Sequence, residues 1–260
     1  MVKVLVCGAL GKMGSAAVEA VMATDDLHLV AVVDTGISLQ SEPENIESPR
    51  EFRDLAQAIA ATEPDVMVDF THPQSVEDNL AIALRSGVDC VVGTTGLSPD
   101  VLSSLAENAP NGTCLFFAPN FAVGAVLMMR FAAEAARFMP HVEIIELHHD
   151  QKADAPSGTA LRTASLIAEH RSLVPGEAAV ESQVLAGATG AQVDGIPVHS
   201  IRLPGLVAHQ EVIFGASGQT LTIRHDSLDR TSFMPGVLLA VRKVGGLSGL
   251  IVGLETLMGD

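Results

Sequence analysis

Through residue 120 the chain repeats one cadence: a short apolar run, a turn rich in Gly, Thr or Pro, then apolar positions at helical spacing. The apolar runs fall at residues 2–7, 28–33, 66–70, 88–92 and 113–118, and each reads as a strand buried on both faces of a parallel sheet. Helical patterns occupy 15–23, 50–62, 75–86 and 99–108, with Pro73 turning the chain and Ser75 expected to cap the third. A polar, turn-rich stretch over 37–49 reads as a surface loop. Strand alternating with helix implies right-handed βαβ crossovers and an α/β domain.

Beyond residue 121 the cadence changes. Residues 124–139 give a helix whose apolar stripe (Val126, Met129, Ala133, Ala136) is a packing face. A strand from residue 143 runs into a helix over 157–170, and 171–195 is loop-like. Alternation over 197–203, 206–214 and 219–225 describes partly exposed strands pairing antiparallel, in an α+β domain with a mixed sheet. Residues 228–244 form a helix that tolerates Pro235 if it starts near Ser232, and 250–254 can add a closing strand. This tail is expected to return to the first domain, giving residues 1–121 with 228–260 as one domain and 122–227 as the other.

Composition narrows the partners. Of 260 residues, 48% are apolar and 18% charged, as in a globular chain. A net charge of -16 argues against nucleic acid and anionic membranes, so an anionic ligand must be held by a local group among the 15 basic residues. With neither Trp nor Tyr, aromatic stacking platforms are not expected. No apolar run approaches the ~18 residues of a membrane span, and the stretch 121–133 is broken by Arg130. The opening residues run into a glycine loop without a basic leader, which sets the expectation of a cytoplasmic protein. Cys7, Cys90 and Cys114 each sit in a strand-like run and are expected as buried, reduced thiols.

Gly8-Ala9-Leu10-Gly11-Lys12-Met13-Gly14 lies between the first strand and its helix. Glycine there lets the backbone approach a pyrophosphate, whose charge then sits at the helix N-terminus. The spacing is Gly-x-x-Gly-x-x-Gly, and Asp34 follows Gly14 by 20 residues, where a Rossmann unit places an acid on the adenosine ribose. Such an acid repels a 2′-phosphate, and Thr35 supplies no compensating Arg. NADH is therefore expected to serve at least as well as NADPH, with Lys12 the nearby cation that works the other way. Gly93-Thr94-Thr95-Gly96 and Ala118-Pro119-Asn120-Phe121 also end strands, where an open parallel sheet holds its ligand.

The densest chemistry lies in residues 143–159. A strand end carries His148, His149 and Lys152, and Pro156-Ser157-Gly158-Thr159 has the composition of a helix start. Free N–H groups there, with the hydroxyls of Ser157 and Thr159, suit a carboxylate. Neighbouring side chains on a strand face opposite ways, so the two histidines should differ in role. Histidine titrates near neutral pH, which suits proton transfer.

The string Glu146-Leu147-His148-His149-Asp150-Gln151-Lys152-Ala153-Asp154-Ala155-Pro156-Ser157-Gly158-Thr159-Ala160 resembles the signature of the 4-hydroxy-tetrahydrodipicolinate reductase family. The glycine loop, the 93–96 and 118–121 turns and Arg224-His225-Asp226-Ser227 agree, so the likeness spans essentially the whole chain. The resemblance implies that a reduced nicotinamide transfers hydride to a cyclic imine dicarboxylate after loss of its 4-hydroxyl as water, in lysine and diaminopimelate synthesis. By position it implies His148 as proton donor or acceptor and Lys152 as second proton donor. It makes His149, Ser157, Gly158 and Thr159 substrate-binding. Gly8, Ala9, Leu10, Gly11, Lys12, Met13, Asp34, Gly93, Thr94, Thr95, Ala118, Pro119, Asn120 and Phe121 would line NADH or NADPH. Thr35 departs from members that carry Arg after the acid. A Rossmann-type dinucleotide domain (1–121 and 228–260), a substrate and oligomerisation domain (122–227) and a homotetramer complete the implication.

Two rival readings make different forecasts. Another dehydrogenase on this architecture, acting on a semialdehyde or polyol, would not bind a dicarboxylate product analogue. A non-catalytic dinucleotide sensor would bind NADH without turnover.

Overall fold

Residues 1–38, 48–172 and 184–259 are described by a computed structural model. In chain order β1 (Val2–Cys7), α1 (Lys12–Met22), β2 (Leu27–Val33), β3 (Arg50–Phe52), α2 (Leu55–Thr62), β4 (Val66–Asp69), α3 (Val76–Arg85), β5 (Asp89–Val92), α4 (Pro99–Glu107) and β6 (Cys114–Phe117) open the chain. Next come α5 (Val123–Ala136), β7 (His141–His148), α6 (Gly158–His170), β8 (Ala191–Val193), β9 (Ile196–Arg202), β10 (Ala208–Ala216) and β11 (Gln219–Ser227). A 3-10 turn (Arg230–Phe233), α7 (Met234–Val244), β12 (Gly249–Val252) and α8 (Glu255–Met258) close it. The chain divides into two units, Met1–Phe121 with Phe233–Asp260, and Ala122–Ser232.

In the first unit a parallel sheet runs β12-β6-β5-β4-β1-β2-β3. Its strands are apolar on both faces because helices cover both, and Leu5, Met67, Leu115 and Phe116 are fully buried. Each such side chain contributes on the order of 1.5–3 kcal/mol. Chain order reverses between β1 and β4, which opens a crevice at the strands' carboxyl ends.

The 50–62 helix pattern resolves into β3 and α2. Asp54 accepts the Gln57 N–H at 2.8 Å and starts the helix late, while Arg50–Phe52 pairs with residues 31–33 of β2. Three residues carry too little periodicity to announce a strand, and pairing decides instead. Ser75 takes the N-cap place of α3 without capping it, because its hydroxyl donates to the His72 carbonyl. At the tail the 3-10 turn precedes α7, whose first turn holds Pro235. The surface-loop readings over 37–49 and 171–195 lie in part outside the described residues.

The second unit's sheet runs β11-β10-β7-β9-β8 and is mixed: β7 and β9 are parallel, the other pairs antiparallel. Strand β8, which falls within the loop-like stretch, pairs with β9 through Asp194-Gly195, both at positive φ (51° and 74°). Such a two-residue turn matches the twist of a hairpin.

Helices α5 and α6 pack on one face of this sheet. That face is apolar at one end, where Val142, Ile144, Ile196, Val198, Val212 and Phe214 are buried. The opposite end is polar. Register sets Ser200, Glu146 and Gln210 side by side, then Arg202, His148 and Ala208.

Candidate active site

At the carboxyl end of the parallel sheet, β1 leads into Gly8 at φ +78°. A Cβ on Gly14 would lie 1.9 Å from the Gly8 carbonyl oxygen, so α1 can start this close to β1 only with glycine there. Helix α1 begins on extended Gly11, and no side chain caps it. Its first-turn N–H groups therefore have no side-chain cap as a partner, the arrangement that suits an anion. Asp34, at the end of β2, accepts from Leu10 N–H at 3.0 Å and Gly36 N–H at 2.9 Å. The first bond holds the glycine loop against the acid, and the second closes a turn just after it.

The 93–96 turn is braced from beneath. Asp69, fully buried at the end of β4, accepts from Thr94 Oγ1 (2.8 Å), Thr71 Oγ1 (2.8 Å), Thr71 N–H (3.0 Å) and Asn79 Nδ2 (2.9 Å). Gly93 leaves room for the Phe70 ring, which meets the Phe121 ring edge-on at 6.0 Å between centroids. Ala118 N–H donates to the Val92 carbonyl at 3.1 Å. Residues 8–13, Asp34, 93–95 and 118–121 thus follow β1, β2, β5 and β6 at the carboxyl ends of the parallel strands. Asp69 was not foreseen, although its place at the end of an apolar strand is a readable signal.

In the second unit, His148, His149, Lys152, Ser157, Gly158 and Thr159 lie along the connection from β7 to α6. His149 is exposed and Lys152 partly buried. Lys152 Nζ donates to Asp154 at 2.7 Å, which holds the Asp154 carboxyl below its usual range. Ser157 caps α6, its hydroxyl oxygen accepting the Ala160 N–H at 3.2 Å. A Cβ on Gly158 would meet no atom within 4 Å, so the space over this helix start is open.

Beneath this connection lies Glu146, which is fully buried. It accepts from His148 Nδ1 at 2.5 Å, from Arg202 Nη2 and Nη1 at 2.7 and 2.9 Å, and from Ser157 N–H at 3.3 Å. Burial pushes its carboxyl up, but hydrogen bonds from His148, Arg202 and Ser200 outweigh this and hold it at about 2. Glu146 and Arg202 were missed as site residues. The signal was present, since alternation puts Glu146 in phase with buried Val142 and Ile144.

The three thiols are buried. Burial pushes Cys7 and Cys90 well up and Cys114 up to about 12, so none is a ready thiolate.

Comparison with known proteins finds a family match in each part of the chain. Residues 2–121 match the family "Dihydrodipicolinate reductase, N-terminus", and residues 124–258 match "Dihydrodipicolinate reductase, C-terminus". The chain belongs to the dihydrodipicolinate reductase family. Among curated relatives, a 4-hydroxy-tetrahydrodipicolinate reductase of Mycobacterium sp. (strain KMS) is 54% identical, covering 98% of each chain. That of Geobacillus kaustophilus (strain HTA426) is 51% identical, covering 99% of each. A dipicolinate-bound dihydrodipicolinate reductase from Paenisporosarcina sp. TG-14 superposes with a TM-score of 0.86 at 45% identity, covering 98% of this chain and 99% of that one. An amine dehydrogenase from Mycobacterium smegmatis, at 14% identity and TM-score 0.65, shares the fold alone.

The late motif noted for the reductase family falls on β11. Arg224 pairs with Glu211 and Asp226, Asp226 also meets His209 Nδ1 at 2.7 Å, and the His225 ring fills the space over Gly124. Burial pushes His225 below its usual range. Among the described residues, no helix is long and apolar enough to cross a membrane.

Proposed function

We propose that the chain is a pyridine-nucleotide-dependent reductase that converts 4-hydroxy-tetrahydrodipicolinate to tetrahydrodipicolinate with loss of water, in lysine and diaminopimelate synthesis. The observation that carries this reading is a family match over both halves of the chain together with the intact string from Glu146 to Ala160. The Paenisporosarcina relative, bound to dipicolinate, supports a small cyclic dicarboxylate as the ligand class.

The uncapped start of α1 and the close packing of Gly14 on Gly8 fit a pyrophosphate, and the 93–95 and 118–121 turns line the rest of the dinucleotide. A nicotinamide cofactor bound there would supply hydride to ring carbon 4, the carbon that loses the hydroxyl, leaving the imine in the product. The chain's own residues do the rest. Lys152 and the helix start at Gly158 and Thr159 hold one carboxylate, and His149 with the Ser157 hydroxyl assists. His148 and Lys152 hold the protons exchanged as the 4-hydroxyl leaves and the ring is reduced. Asp34 disfavours a 2′-phosphate, so NADH serves at least as well as NADPH. The protein acts in the cytoplasm as a homotetramer; a monomer mass in solution at micromolar concentration would contradict the assembly.

The test condenses pyruvate with aspartate semialdehyde and follows loss of reduced nicotinamide absorbance. Turnover is expected, and His148→Gln should lower kcat by about 10²–10⁴-fold while NADH affinity stays within about twofold. Absence of turnover by the wild type with either cofactor would overturn the assignment.

A further inference from the structure

One buried carboxylate in the second unit takes no part in the chemistry just described. The two oxygens of Glu146 are matched by the two terminal nitrogens of Arg202, at 2.7 and 2.9 Å, which already pairs the charge. Yet the shortest contact of Glu146, at 2.5 Å, goes to Nδ1 of His148, two residues along the same face of β7.

We propose that Glu146 is the positioning residue for His148, fixing the ring and its Nδ1–H tautomer so that Nε2 is the nitrogen that exchanges a proton with substrate. This rests on the reading of His148 as a proton-exchanging group. An ionised carboxylate only accepts hydrogen bonds, so the ring nitrogen facing it carries the proton. Neutral histidine in water favours the opposite tautomer, and the contact inverts that preference. Arg202 keeps Glu146 ionised, so the proton stays on the ring. The same guanidinium donates to the Asp154 carbonyl at 2.7 Å, and Glu146 accepts the Ser157 N–H at 3.3 Å. One buried pair thereby ties the His148 ring to the connection that carries Lys152. A carboxylate that orients an imidazole without itself taking the proton is a recurrent device in acid–base catalysis.

Nitrogen-15 NMR of histidine-labelled protein at alkaline pH reads the tautomer without turnover, the His148 signals being assigned by their loss in His148→Gln. The Nδ1–H form is expected, and an Nε2–H form in the wild type would overturn the proposal. Glu146→Gln should lower kcat about 10²-fold with KM for the dicarboxylate within about threefold. A kcat within about threefold of wild type would also overturn it. Should this variant fail to fold because Arg202 loses its partner, the wild-type tautomer decides the matter alone. A wild type without turnover would sink the reductase reading and leave the tautomer to judge the positioning.

Discussion

At residues 8–14 and again at residues 148–157 a strand gives way to a helix, and the two turns are built in opposite ways. The first is held by a partly exposed acid, Asp34, which accepts the Leu10 N–H, and no side chain caps its helix start. Gly11 leaves α1 uncapped, and Gly14 brings the helix within van der Waals reach of the Gly8 carbonyl. The second is capped by Ser157 and stands on the Glu146–Arg202 pair. An uncapped helix start offers backbone donors to a large, flexible anion and needs nothing but room. A turn that must hold a histidine in one tautomer needs a fixed partner for the ring, hence a buried carboxylate and a cation to keep it ionised. Close backbone packing thus marks the glycine turn and a buried ion pair the histidine turn, while the buried Asp69 braces the 93–96 turn.

The contrast breaks most easily at Gly14. In Gly14→Ala the added Cβ meets backbone and not a yielding side chain, so α1 must shift. We expect NADH binding to weaken by about 10²-fold or more, with stability falling by about 1–3 kcal/mol in urea titration. A variant that binds NADH like the wild type would remove the close-packing argument.

A smaller effect is expected at Asp34, which accepts the Leu10 N–H of the same loop. Asp34→Asn should raise kcat/KM for NADPH relative to NADH by about tenfold, a change of about 1.4 kcal/mol. A wild type with a strong NADPH preference would contradict the reading of this acid.

Much of the first turn could be read along the chain, because its signals are local: glycines three apart between a strand and a helix, then an acid after the second strand. The brace beneath the 93–96 turn could not, since Asp69 meets Thr94 only when β4 and β5 pair. The second turn shows the same divide. His148, His149 and Lys152 announce themselves within a few residues, whereas Arg202 reaches Glu146 across 56 residues of sequence through the β7–β9 pairing. Strand β3 stayed hidden because three residues have no period to detect, and Ser75 misled because its hydroxyl had a closer carbonyl to bond.

The smallest expected effect sharpens the second turn through pH. The Glu146 carboxyl is held at about 2, below its ordinary value of 4.5, so its contribution to stability is present above the ordinary range and is lost as pH falls through about 2. The stability gap between wild type and Glu146→Gln should therefore narrow as pH is lowered from 4.5 toward 2, measured as urea midpoints. A gap independent of pH across that window would mean that the carboxylate is not held by its partners.

The division of labour itself is tested most directly by titrating Lys152→Ala with NADH and, separately, with dipicolinate in saturating NADH. The account predicts an NADH Kd within about twofold of wild type and a dipicolinate Kd raised about tenfold or more, the loss of one charge-assisted contact. Equal weakening of both ligands, or dipicolinate binding left unchanged, would contradict it.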